Sequence, residues 1–241
     1  MFRLQTLSLV VVALLLAGCC AVPFRTQLVP SGPLVTKDYD LSNFSAVAAG
    51  SAFEVEIVRS DSYGVSVTVN ESLVESLEVS VSGKTLNIAL KPSIGLTGAA
   101  TMKAQVTMPE LTGLDLSGAS RTTLAGFKSD NPLTTEVSGA STLRGDLTCG
   151  DASFNVSGAS KVNLNGSAQD LKVEASGAST VDLSNFASQD TVVDASGASK
   201  VVVAASGSLD VEASGASTVR YTGEPAKLKT NTSGASTVGE Q

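Results

Sequence analysis

The chain has 241 residues, a formal net charge of −7, only 4% aromatic side chains, and neither histidine nor tryptophan. Lack of histidine removes the commonest general base and the commonest transition-metal ligand, and an acidic chain without a Lys/Arg cluster is a poor binder of nucleic acid, so none is expected as a partner. The 42% apolar content must fill the interior with Val, Leu, Ile and Ala, which suits stacked strands better than a large enzyme pocket.

The N-terminus reads MFRLQTLSLVVVALLLAGCC. One Arg precedes an apolar run from Leu7 to Leu16, too short for a good transmembrane helix, so residues 1–18 read as a signal peptide. The closing LLAGC, Leu15 to Cys19, resembles the bacterial lipobox. Cys19 is therefore the expected lipidation site, anchoring an exported chain to the membrane of the cell envelope. The next residue is Cys20 and not Asp, so an outer-membrane destination is expected in a Gram-negative cell. Cys149 has no histidine to activate it and reads as a small apolar filler.

Residues 19–37 hold three prolines and little charge and read as a tether, with folded structure beginning near Tyr39. Residues 38–112 form a β-rich part. AFEVEIV puts Phe53, Val55 and Ile57 on one face and Glu54 and Glu56 on the other. GVSVTVN alternates through Val65, Val67 and Val69, and LEVSVSGKTLNIAL reads as a hairpin turning at SGK. SLVESL, residues 72–77, supports one helical turn at most, and MKAQVTM adds a strand before Pro109. No segment has the length or pattern of a helix that would organise the fold.

Residues 113–241 are a repeat. SGAS occurs seven times, starting at Ser117, Ser138, Ser157, Ser176, Ser196, Ser214 and Ser233, at intervals of 18 to 21 residues. A period near 19 residues with strand-like composition predicts an all-β fold, a β-solenoid resembling a parallel β-helix. Each coil has a strand entering SGAS, a strand leaving it and a turn such as SNFASQ or LNGSAQ. Rungs ~4.8 Å apart would make the seven units roughly 30 Å long.

Parity assigns the faces. In the fourth unit Val173, Ala175, Gly177, Ser179, Val181 and Leu183 share one parity, which points them inward or places the Gly and second Ser at a corner. Gly118, Gly139, Gly158, Gly177, Gly197, Gly215 and Gly234 are the expected corner residues, because Gly accepts bends that others resist. The second Ser would return a hydrogen bond to backbone at the bend.

Two outward columns flank the motif. Two residues before each SGAS stand Asp115, Glu136, Asn155, Glu174, Asp194, Glu212 and Asn231. Directly after each SGAS come Arg121, Thr142, Lys161, Thr180, Lys200, Thr218 and Thr237. The residues leave three readings open: solvated faces, an acidic column gathering Ca²⁺ through oxygen ligands, or a flat Ser/Ala/Thr lane touching a glycan, a cell-wall polymer, a protein partner or ice.

No G-x-S-x-G elbow, S-x-x-K pair or phosphate-binding loop occurs. Carboxylates such as Glu174 and Asp194 would be the tools of a carbohydrate-active β-helix enzyme, but an active site needs one distinctive cluster, and seven near-copies of one motif point to architecture. A non-enzymatic chain without a cofactor is expected.

The strand set GSAFEVEIVRSDSYGVSVTVNESLVESLEVSVSGKTLNIAL, followed by LTGLDLSGAS and the recurring SGAS coils, resembles the bacterial head-GIN domain family over residues 39–238. That family is described as auto-transporter adhesin-like and occurs in secreted proteins and lipoproteins. The resemblance implies an all-β fold with β-helix character and an adhesion role. It brings no catalytic or ligand residues with it.

Overall fold

The computed structural model describes residues 26–241. The expected signal peptide over residues 1–18, the expected lipobox and Cys19 lie outside the described residues. From Gly113 the chain alternates between two long sheets. Sheet one takes the strands Gly113–Leu116, Leu133–Val137, Ala152–Val156, Asp170–Ala175, Asp190–Ala195, Ser208–Ala213 and Lys227–Thr232. Sheet two takes Arg121–Lys128, Thr142–Thr148, Lys161–Ser167, Thr180–Ser188, Lys200–Ala205, Thr218–Thr222 and Thr237–Glu240. Each strand pairs in parallel with its counterpart one coil away, as when Val173 meets Phe154 on one side and Val193 on the other. This is the expected β-solenoid, with one sheet-one strand and one sheet-two strand per coil.

The solenoid starts earlier than the SGAS repeat. Ala46–Ala49 pairs in parallel with Gly113–Leu116, and Glu54–Arg59 pairs with Arg121–Ala125, so residues 46–59 form a coil of their own. Its corner is Gly50-Ser51-Ala52, in which Ser51 and Ala52 adopt left-handed φ of 54° and 64°. Non-glycine residues bear ~1–2 kcal/mol each for that conformation. Residues 60–112 then double back to close this end. Thr85–Leu90 and Met102–Met108 lie parallel to the first coil, while Leu77–Ser82 and Gly64–Asn70 run antiparallel outside them. The sheets thus continue unbroken across residue 112. The helical turn falls at Glu71–Ser76 as a 3-10 helix.

The tether expected over residues 19–37 is corrected within the described part. Thr26–Leu28 pairs with Ile94–Leu96, and Leu34–Tyr39 forms the edge strand of sheet two against Gly64–Asn70. Prolines 30 and 33 fit this because they stand outside those two strands, where their missing N–H groups interrupt no pairing.

One continuous apolar core fills the space between the sheets. Alternation on each strand supplies it: Val173, Ala175, Val181 and Leu183 are all buried, as parity predicts. Burying each Val or Leu side chain contributes ~1.5–3 kcal/mol. Phe154 and Phe186 meet edge-to-face with ring centroids 6.1 Å apart. At the C-terminal end the inward positions become Thr230 and Thr232, aligned with Val211 and Ala213 of the preceding coil.

Cys149 is buried, and burial together with the charge of Asp151 pushes its thiol up to about 11. A folded-state value above the unfolded 9.0 means that the buried thiol favours the fold while protonated. That contribution is intact below pH ~9 and is lost as pH rises towards 11. Between pH 8 and 11, the urea midpoint of the wild type should therefore fall further than that of Cys149→Ala.

Candidate contact surface at the repeated corner

Each SGAS turns the chain from sheet one into sheet two. The Gly is exposed throughout, the second Ser is buried in the first six motifs and half-buried as Ser236 in the last, and from the second motif onward the Ala is also exposed, as in Gly177, Ala178 and Ser179. The Gly therefore sits at the corner, and the inward placement of Gly is corrected: left-handed φ, +71° at Gly177, swings it off the parity of its neighbours. A second constraint comes from the coil beneath. The Ala178 N–H donates to the Gly158 carbonyl at 2.8 Å, which keeps the corner backbone paired from coil to coil. A Cβ on Gly177 would lie 2.7 Å from that same oxygen. Close stacking and the bend both demand Gly, which explains the recurrence at every rung.

The second serines of the motif divide into those with a hydrogen-bond partner and those without. Ser217 Oγ donates to the Ser214 carbonyl at 2.9 Å and lies 3.2 Å from the Ala195 carbonyl. Ser236 does the same with Ser233 and Ala213. Ser160 and Ser179 have buried hydroxyls with no partner, which corrects the expectation that the second Ser of every unit satisfies the bend. Ser217→Ala should cost ~1 kcal/mol, whereas Ser179→Ala should be neutral or stabilising, because only Ser217 loses a hydrogen bond. Chemical denaturation of the two variants checks the difference.

The two flanking columns are in strict register but belong to different sheets. Asp115, Glu136, Asn155, Glu174, Asp194, Glu212 and Asn231 align rung by rung on the outer face of sheet one. Arg121, Thr142, Lys161, Thr180, Lys200, Thr218 and Thr237 align on the outer face of sheet two. The Ser/Ala lane is thus a raised edge between two faces, and the single flat face expected from the sequence is corrected.

Sequence reasoning missed a further column on sheet one, two residues upstream of the acids: Thr134, Ser153, Lys172, Val192, Asp210 and Lys229. Its signal was available, four residues before each SGAS. Lys172 reaches Glu174 at 2.6 Å and Lys229 reaches Asp210 at 2.8 Å, so the carboxylates hold both ammonium groups above their ordinary range. Beyond this column Asp190 accepts from the hydroxyl and the N–H of Ser208, which draws its carboxyl below the usual range.

Two surface hollows bear on this question. One of about 590 Å³ lies over sheet two near the N-terminal end. Its Glu54 pairs with Lys103 at 3.2 Å, and its Glu56 accepts from Gln105 at 3.3 Å, so neither carboxylate faces the other as an acid–base couple. The other, of about 390 Å³, lies over sheet one beside Asp151, Asp170 and Val192. Among the described residues, no three Asp, Glu or Cys side chains converge as a metal site would require, and no helix is long and apolar enough to cross a membrane.

The family model described as "Putative auto-transporter adhesin, head GIN domain" matches residues 43–225. A crystal structure of a "putative adhesin" from Bacteroides fragilis NCTC 9343 superposes with a TM-score of 0.84 at 22% identity, covering 89% of this chain and 100% of that one. A "putative adhesin" from Parabacteroides merdae ATCC 43184 gives 0.70 at 17% identity over 89% and 99% of the two chains. A "Putative lipid binding protein" from Parabacteroides distasonis ATCC 8503 gives 0.69 at 19% identity over 90% and 100%. These superpositions establish a shared fold. No curated protein matches the chain.

Proposed function

The chain belongs to the head GIN domain family of adhesin-like proteins, and from that premise we propose that it is a non-enzymatic adhesion or interaction module of the cell envelope. It is exported by residues 1–18 and tied to the outer membrane by lipid at Cys19. The solenoid then carries its contact surface, the SGAS edge with the columns on either side, towards an extended partner such as a glycan, a cell-wall polymer or a protein. The observation that carries this reading is the unbroken register of seven near-identical corners. Such a surface repeats one small set of groups at ~4.8 Å intervals, which matches a partner that is itself long and repetitive. It matches poorly a catalytic task performed at one point. The carboxylates Glu174 and Asp194 are neighbours within an even column, and Glu174 is already engaged by Lys172.

The test is a binding screen of the mature protein against glycans, purified cell-wall polymers and whole cells. Retention by at least one extended partner is expected, and Ala178→Gln combined with Ala198→Gln should weaken it while leaving the melting temperature unchanged. Retention indifferent to the edge would contradict the reading. The anchor has a separate test: metabolic palmitate labelling should disappear in Cys19→Ala, and its persistence would remove the lipobox from the account.

A further inference from the structure

The sequence has no cluster of basic residues, yet the fold assembles one. Arg121, Lys161 and Lys200 are separated by about forty residues each in the chain, but stacking places them in a single column of sheet two. Arg144 stands beside them on the neighbouring column, in register with Thr123 and Asn163. Among the described residues none of these four cations has a carboxylate within ion-pair reach. The acids on this face are engaged elsewhere: Glu54, in register with Arg121, pairs with Lys103 at 3.2 Å, Glu56 accepts from Gln105, Asp146 accepts from the Gly126 N–H, and Asp182 is turned to the N–H and hydroxyl of Ser184. The contrast with sheet one is direct, because Lys172 and Lys229 there are both paired. From Arg121 to Lys200, sheet two therefore carries four cations without an ion-pair partner on an otherwise acidic protein. At a screening length of ~8 Å in physiological salt, that local sign decides what approaches this face.

The spacing narrows the partner. The cations occupy alternate rungs, with Thr142 and Thr180 between them, so charge repeats every two rungs, ~9.6 Å. A nucleic-acid strand carries one charge per ~3.4 Å and would leave most phosphates opposite threonines. The acidic column of a second copy repeats at ~4.8 Å and mismatches in the same way. A polysaccharide with a carboxylate on every second sugar has its charges two sugars apart, and the uncharged sugar between them offers hydroxyls where the threonines stand.

Resting on the adhesion reading above, we infer that the outer face of sheet two binds a linear polysaccharide bearing carboxylates on alternate sugars. The carboxylates sit on Arg121, Lys161 and Lys200, with Arg144 as a lateral contact, and the intervening hydroxyls meet Thr142 and Thr180. The ligand lies along the stack, beside the SGAS edge and across the strands.

The test is biolayer interferometry of the full mature chain with hyaluronan oligomers (carboxylate on alternate sugars), polygalacturonate oligomers (carboxylate on every sugar), single-stranded DNA and neutral dextran. Hyaluronan should bind best, and 500 mM NaCl should abolish binding. Lys161→Thr with Lys200→Thr, which installs the residue already present on alternate rungs, should weaken hyaluronan binding about tenfold. Lys84→Thr with Lys227→Thr, which removes two exposed cations away from this face, should leave it unchanged. The inference is overturned if hyaluronan does not bind, if the double threonine variant binds equally well, or if polygalacturonate or DNA is preferred. It is also overturned if the threonine variant only abolishes self-association in sedimentation, because the occupant is then a second copy. If these arms fail while cell-wall retention still depends on Ala178 and Ala198, the adhesion reading stands and this inference alone falls. Loss of both removes the two together.

Discussion

Phe186→Ala should lower the stability of the domain by about 3–5 kcal/mol, the range for deleting a fully buried Phe. Phe186 is fully buried. It lies at an irregularity in the pairing of Thr180–Ser188 with Lys200–Ala205, where Leu183 aligns with Val203 but Ala187 aligns with Ala204. The extra residues carry the ring inward against Phe154. The next coil contributes only Val and Ala at this level, so little nearby can move to fill the cavity. Phe186→Leu should recover part of the loss, because it restores volume without the edge-to-face contact. Urea denaturation of the two variants measures both effects.

Gly177→Ala should destabilise by about 2–4 kcal/mol although its site is on the surface. Left-handed φ accounts for ~1–2 kcal/mol of this. The rest comes from the added methyl, which would press on the Gly158 carbonyl and compete with the bond from Ala178. Ala178→Gly, one residue further on, should cost less than 1 kcal/mol, because Ala178 is exposed and makes its contact through the backbone. Equal losses at the two positions would show that the corner does not depend on close stacking.

Much of the fold was legible because the repeat is exact where geometry leaves no choice. The interval between SGAS motifs gave the coils, and alternation gave the buried Val and Leu positions. Parity failed at the Gly of each corner because a left-handed residue breaks the two-residue period that parity assumes. The coil at residues 46–59 was hidden because Ser51, Ala52 and Phe53 replace the familiar Gly-Ala-Ser. SNFASQ has the composition of a turn, yet Asn185 and Phe186 lie inside the nine-residue strand Thr180–Ser188. The segment Leu34–Tyr39 shows no strand signal of its own because its partner lies some thirty residues away, and non-local pairing leaves no mark on a short segment. For the candidate surface, the two columns were visible as spacings. Their division between two sheets depended on where the corner turned, and so did the gathering of Arg121, Lys161 and Lys200 on one face.

The central claim is that SGAS coils are interchangeable architecture whose outer faces make the contacts. The most direct measurement is a thermal melt of a chain lacking Lys200–Ser217, followed by circular dichroism. The deletion removes one whole coil and joins Ser199 to Thr218, which takes the place of its rung counterpart Lys200. The account predicts a folded β protein that melts in one cooperative transition, somewhat below the wild type, because each coil is stabilised mainly by its neighbours. A deletion variant without β signal, or one that melts without a cooperative transition, would contradict it.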